Sequence, residues 1–330
     1  MKYHLTHGNW LQYTVDGEPF GQRKSQYQKF DVQLNPPKEN PDPYLYPQYY
    51  LVEGGPVPSV HHALLASTSR LLENFQNQEE LVVFLSGGLD SEVALHYIWQ
   101  VNSRQRRLRA VTIQFEGGLN LHETLRAHEI CKRHPGVEHE VIRYNVHTMV
   151  SSGELGHLSR LYKCSQIAYL TVLRYAAYYP KALVVMGGEV LFQKHWDSDG
   201  KSNWYYVYRE DEDAATYRYT QLHDHPVVNE FFSYTPALLR SWLKLEGVRD
   251  VLHNRVPGKL SLVSSKNRIM HAQLPMEWFP ETQAPPKYHG YEKLLYENQA
   301  WQEELRADLL LPQEARIPIQ KVYRCLNLSY

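Results

Sequence analysis

Cysteine is scarce in this sequence. Cys131, Cys164 and Cys325 are the only three among 330 residues, and none lies in a CxxC pair. That excludes a disulfide framework and a thiolate zinc site built from local motifs, and it suits a reducing compartment. Neither sign of charge is in excess: 35 Lys+Arg against 36 Asp+Glu leave a net charge of -1. Such a balance gives no electrostatic footprint for nucleic acid or for an anionic membrane. The basic stretch SRQRRLR at 103–109 follows a predicted helix and reads as a solvated connection. Long apolar runs are lacking too. No stretch reaches the roughly 18 residues needed to span a bilayer, and the first ten residues, MKYHLTHGNW, hold no apolar signal core. The expectation is a cytoplasmic protein with no membrane partner. Internal repeats and low-complexity tracts are absent.

What is present is an ordinary globular composition, 43% hydrophobic and 22% charged. The length suggests one large domain or two unequal ones. Residues 1–58 are polar, aromatic and proline-rich. LNPPKENPDPYLYPQYY cannot be helical, because each proline removes a donor and restricts its predecessor, whereas WLQYTVDGEPF suits a hairpin around Asp16-Gly17. This region reads as an extended or β-rich arm.

Residues 59–194 alternate strand and helix. The predicted helices are 59–75 with Ser59 as cap, one after residue 88, 120–134 with Asn120 as cap and Glu123 three residues on, and 165–179 stopped by Pro180. The predicted strands are 81–85, 109–115, 139–145 and 182–189. Alternation with short connections implies a doubly wound parallel α/β sheet with helices on both faces. Residues 195–330 read as a mostly helical region closing over the ligand site. Its predicted helices are 235–247, with Thr235 as cap and Pro236 at the first position, and 291–311.

The first strand ends in Ser86-Gly87-Gly88-Leu89-Asp90-Ser91. In open α/β sheets, ligands bind beyond the carboxyl ends of the strands, where strand order reverses. With the order 3-2-1-4 this loop sits there. Glycines let the backbone approach a ligand, a helix start offers unpaired N–H groups, and the serines add hydroxyls: an anion cradle, with phosphate the natural anion. Asp90 fits beside an anion if it holds a divalent cation or accepts bonds from loop N–H groups. A Mg²⁺ bridging Asp90 and a nucleotide phosphate meets the first condition. The loop is neither GxxxxGK[ST] nor GxGxxG, which excludes the usual nucleoside-triphosphatase loop and the dinucleotide fingerprint.

The hexapeptide resembles the SGGxDS signature of the PP-loop ATP pyrophosphatases, of the adenine nucleotide alpha-hydrolase-like group. The resemblance covers 81–101 firmly and 59–190 by element order. It implies a HUP-like fold that binds ATP with Mg²⁺, the β,γ-phosphates lying in the loop. A substrate oxygen attacks the α-phosphate, pyrophosphate leaves, and an amine, ammonia or sulfur nucleophile attacks the adenylated substrate. Ser86 to Ser91 carry over as nucleotide-binding, with Ser86 and Asp90 also catalytic. The resemblance places adenine and ribose at the end of the second strand, Gln114-Phe115-Glu116-Gly117-Gly118. There Phe115 either stacks on adenine or packs in the core.

Gly187-Gly188-Glu189 ends the fourth strand, and GGEVLF is loosely similar to a loop of the synthetase domain of asparagine synthetase. Glu189 either reaches a metal or the activated substrate, or faces solvent. Lys266, Arg268, Lys287 and Lys293, and comparably Lys163 and Lys194, are either mobile cations for the phosphates or plain surface charges; Lys266 is the one assigned to the site. His223 with His225, and His61 with His62, are weaker metal pairs, and Glu210–Asp213 reads as a solvated loop.

The implied function is an AMP-forming ligase that activates a carboxyl or carbonyl oxygen of a small molecule. Asparagine synthetase carries an N-terminal glutaminase with a nucleophilic Cys, whereas residue 2 here is Lys and the arm is too short. Nitrogen would then come from free ammonia, an amine substrate or an ammonia-donating partner. The alternatives are a base-modifying enzyme of the tRNA thiolation or 7-cyano-7-deazaguanine synthase type, with Cys164 as its lone thiol, and a non-catalytic ATP or AMP sensor.

Overall fold

The computed structural model describes residues 58–162 and most of 164–250, together with backbone strands outside them. In the N-terminal region, β1 (Leu11–Val15) and β2 (Glu18–Pro19) pair with Val15 opposite Glu18, the hairpin expected around Asp16-Gly17. With β3 (Tyr27–Lys29) and β4 (Tyr46–Val52) they make an antiparallel sheet of order β2-β1-β4-β3.

The central sheet has five strands. In chain order they are β5 (Glu80–Phe84), β6 (Arg107–Phe115), β7 (Glu138–Tyr144) and β8 (Ala182–Val185). After two strands of another sheet, β9 (Leu191–Trp196) and β10 (Ser202–Arg209), comes the fifth, β11 (Val227–Val228). All pairings are parallel and the order is β11-β8-β5-β6-β7. Read by position in the sheet this is 3-2-1-4-5, so strand order reverses between β5 and β8, as the sequence implied.

A strand buried on both faces needs no polar alternation. Accordingly Leu81, Val82, Val83 and Phe84 are all buried. Leu81, Val83 and Leu85 enter one core and Val82 and Phe84 the other. The first core is closed by α1 (Val60–Asn74), α2 (Leu89–Val101) and α3 (Leu121–Lys132). The second is closed by α4 (Val146–Ser151), α5 (Glu154–Tyr162), α6 (Ile167–Ala176) and α7 (Glu210–His223). Helix α8 (Pro236–Leu243) joins the first core, where Trp242 is fully buried and Asn74 of α1 donates to the Tyr234 hydroxyl at 2.8 Å. The cap residues at two starts behave as the sequence suggests: Ser59 Oγ accepts from His62 N and Thr235 Oγ1 from Leu238 N. Such caps contribute about 1 kcal/mol each.

The structure differs from the sequence reading in four places. Asn120 begins α3 without capping it: its side chain turns back to the strand end, accepting from Phe115 N and donating to Ile113 O, each at 2.8 Å. A buried amide that satisfies two strand-end groups outweighs one cap bond. Residues 210–213 open α7 instead of forming a loop, because acidic residues are favoured at a helix start. The basic stretch at 103–109 is an exposed connection at Ser103–Gln105, as expected, but Arg106, Arg107 and Arg109 are committed to the protein. Arg106 donates to Leu72 O in the last turn of α1 and to Phe75 O and Gln78 O beyond it, while Arg107 and Arg109 pair with Glu80, Glu138 and Glu140. Residues 195–330 hold, beside α7 and α8, strands of a sheet that no sequence signal announced. With β12 (Leu262–Ser264) and β13 (Glu314–Pro318) its antiparallel order is β12-β9-β10-β13. The helix expected at 291–311 lies outside the described residues, and among those described no helix is long and apolar enough to cross a membrane.

Candidate functional site

The loop 86–91 leaves β5 at the reversal point and turns directly into α2. Gly88 is the residue before the helix, and the first intrahelical bond runs from Glu92 N to Gly88 O at 3.1 Å. The N–H groups of Leu89, Asp90 and Ser91 precede that bond, where a 13-residue helix concentrates positive potential. The two serines close the loop on itself. Ser91 Oγ donates to Gly88 O at 2.9 Å and accepts from Ser86 N at 3.2 Å; Ser86 Oγ accepts from Gly88 N at 3.2 Å; and the two hydroxyls are 3.1 Å apart. Ser86 is exposed, Gly88 and Leu89 are half-buried, and Asp90 and Ser91 are buried.

Two glycines are dictated by their neighbours. Gly87 has φ of +75°, and a Cβ there would lie 2.3 Å from the Glu123 carbonyl oxygen in the first turn of α3. Gly187, just beyond β8, sits where a Cβ would lie 3.1 Å from Ser91 N and 3.3 Å from Asp90 Cβ. The ends of β5 and β8 are thereby brought together, and Asp90 stands between the loop and Gly187-Gly188.

Gln114 and Phe115 end β6, the neighbouring strand on the other side. Gln114 is half-buried, whereas Phe115 is buried in the second core with Val111 and Tyr144. The turn after it is held by Glu116, which accepts from Asn145 Nδ2 at 2.7 Å. Lys194 lies on β9. Glu189, Lys163, Lys266, Arg268, Lys287 and Lys293 lie outside the described residues.

The histidine pairs serve packing. His61 Nδ1 bonds the Tyr97 hydroxyl and His62 Nδ1 the Ser59 hydroxyl. His223 Nε2 bonds the Tyr162 hydroxyl, while His225 joins Tyr219 and Ala182 O. Among the described residues no group of three or more His, Cys, Asp and Glu is placed to hold a metal ion. A Mg²⁺ needs less, since it commonly takes one or two carboxylates and completes its shell with phosphates and water. Asp90, at the foot of the cradle, fits that pattern.

Cys164 is fully buried in the second core, with Gln166 N donating to its Sγ at 3.4 Å. Cys131 is buried as well, and burial pushes its thiol up to about 11. Neither is poised as a thiolate nucleophile. The expected result for Cys164→Ser is therefore unchanged turnover and a modest loss of stability. A variant that folds and has lost turnover would return sulfur chemistry to consideration.

Sequence reasoning missed a buried carboxylate beside the loop. Glu92 is 3% exposed in the first turn of α2, with Arg126 of α3 at 3.5 Å and Arg133, the residue after α3, in direct contact. A Glu two places from the signature Asp on a helix start reads as a solvated dipole partner, and nothing local marks it as buried.

No protein-family model matches the chain, and neither does any curated protein. Among solved structures the chain is similar to NMN synthetase from Francisella tularensis, at 17% identity over 38% of this chain and 52% of that one, with a TM-score of 0.29. It is also similar to a glutamine-dependent NAD+ synthetase from Acinetobacter baumannii, solved in complex with ADP. That match has 20% identity over 43% of this chain and 30% of that one, and a TM-score of 0.29. The chain thus spans about half the length of the first and under a third of the second.

Proposed function

We propose that the chain is an ATP-dependent, AMP-forming ligase of the PP-loop ATP pyrophosphatase kind. It activates a carboxyl or carbonyl oxygen of a small molecule for attack by an amine or ammonia, in the manner of the asparagine synthetase group. The observation that carries this reading is the placement of Ser86–Ser91 at the reversal of strand order, with Gly187 packed against Asp90.

The residues divide the work. The N–H groups at the start of α2 and the hydroxyls of Ser86 and Ser91 hold phosphate oxygens; to do so Ser91 turns its O–H away from Gly88 O. These donors are fixed before the reaction, so charge developing on departing pyrophosphate is met without reorganisation. Asp90 would hold Mg²⁺, which supplies neutralisation of phosphate charge, and Glu189 and Lys266 are assigned to the same site from the sequence. Phe115 forms an apolar floor beneath the end of β6, and Gln114 offers polar groups for a base edge.

The test is turnover of α-labelled ATP with Mg²⁺ against pools of amino acids, other amines, carboxylates and nucleobases, resolving AMP from ADP. AMP formation that depends on one pool supports the ligase, and ADP formation excludes it. In Asp90→Asn turnover should fall by about 10²–10³-fold or more while ATP still binds, the scale seen when one preorganised electrostatic group is removed. Undiminished turnover in that variant removes Asp90 from the mechanism.

A further inference from the structure

The contact between Glu92 and α3 bears on the loop itself. Helix α3 meets the loop at its first turn, where the Glu123 carbonyl stands against Gly87. One turn further on, Arg126 faces Glu92, and beyond the end of α3 Arg133 faces it too. The same carboxylate therefore grips α3 along its length, and it sits in the turn of α2 whose N–H groups line the cradle. Arg126 is 19% exposed and Arg133 41% exposed, so the group is sealed at the carboxylate and open to water at its outer edge. Replacing this carboxylate by a neutral group would leave two guanidinium groups facing each other across a buried position.

We propose that Glu92 is a positioning residue: it holds α3 against α2 through Arg126 and Arg133, and so holds the Glu123 carbonyl as the backstop that fixes Gly87 and the phosphate cradle. The inference rests on the reading of loop 86–91 as a phosphate site. It makes a claim opposite in sign to simple electrostatics. Neutralising Glu92 raises the local positive charge, which by itself would tighten an anion. Loosening the backstop weakens it.

The experiment uses the full chain and inorganic pyrophosphate with Mg²⁺, titrated calorimetrically, together with amide hydrogen exchange resolved at residues 86–91 and at β6. Glu92→Gln and, as the variant at a more exposed position, Arg133→Gln are compared with the parent. Each is expected to weaken pyrophosphate by about tenfold, equivalent to about 1.4 kcal/mol. Exchange at Gly87 to Ser91 should rise by a similar factor, with β6 unchanged. Pyrophosphate bound as tightly or more tightly, with loop exchange unchanged, overturns the proposal, and so does a rise in exchange spread equally over loop and β6. If the parent itself binds neither pyrophosphate nor ATP, the functional reading has failed, and loop exchange alone decides whether Glu92 governs the loop. If Glu92→Gln does not fold, Arg133→Gln carries both readouts.

Discussion

Replacing Gly87 by alanine is expected to destabilise the protein by about 2–6 kcal/mol and to abolish ATP binding. Two costs combine. A side chain in the left-handed region costs roughly 1–3 kcal/mol. The new methyl must also displace a backbone carbonyl, that of Glu123, which lies 2.3 Å away and is built into α3, and such overpacking costs a further ~1–3 kcal/mol. Gly88 is the control. Its φ is -80°, and a Cβ there would meet only the Ser86 hydroxyl at 3.2 Å, which can rotate. Gly88→Ala should therefore change stability by about 1 kcal/mol or less. It should nonetheless weaken ATP by about tenfold or more, or about 1.4 kcal/mol, because the methyl occupies the space in which a phosphate would approach the backbone. Denaturant unfolding and ATP titration of the two variants separate the roles. A Gly87→Ala protein as stable as the parent would mean that α3 does not press on the loop as described, and full ATP affinity in Gly88→Ala would remove the cradle.

The second large effect is a loss of stability in mild acid. His96 of α2 is 6% exposed and its Nδ1 lies 3.1 Å from His134 Nε2, while His134 Nδ1 donates to Ile130 O at 2.8 Å. Burial first, then the neighbouring His134 and His61, bring His96 down to about 4. Burial also lowers His134, His139 and His225. A folded value below the unfolded one means that the unfolded chain binds the extra proton. The stability is thus complete above the unfolded value near 6.5 and drains away as pH falls towards 4. Between pH 7.5 and 5, His96 alone should remove about 2 kcal/mol, and the other three histidines add to it. Urea unfolding across that range measures the slope, and His96→Gln should flatten it. An equal slope in parent and variant would show that His96 is not held neutral.

The alternation of strands and helices from 59 to 185 was legible because each signal is local: apolar runs for strands buried on both faces, an apolar stripe for each helix, and Ser59, Thr235 and Pro236 at helix starts. The alternation implied a parallel sheet; the reversal of strand order, and with it the place of the loop, came from the order 3-2-1-4 of the fold that the signature resembles. Other features were hidden for physical reasons. The sheet of β9, β10, β12 and β13 pairs residues near 205 with residues near 318, and no local pattern encodes a pairing so distant. The strand SNWYYVYR offers no clean alternation to find it by. Glu92 was invisible because its burial is made by α3, not by α2. Asn120 was read as a cap because its position allows one, and the open strand end it also reaches is apparent only once β6 and α3 are in place.

The closure of α8 over α1 sets when the first core of this protein can be completed. Asn74 and Tyr234 are 160 positions apart, and the fully buried Trp242 lies further on still. During synthesis the sequence of α1 to β8 leaves the ribosome long before its cover does. Until residue 228 has emerged β8 has an open edge where β11 will pair, and until residue 243 has emerged the α1 face lies uncovered by α8. The nascent chain is therefore exposed to misassembly for the time taken to make about 60 further residues, several seconds at roughly 5–20 residues per second. A chain released between β8 and α8 would keep loop 86–91 with its neighbours Glu123 and Gly187 and leave that apolar face without its cover.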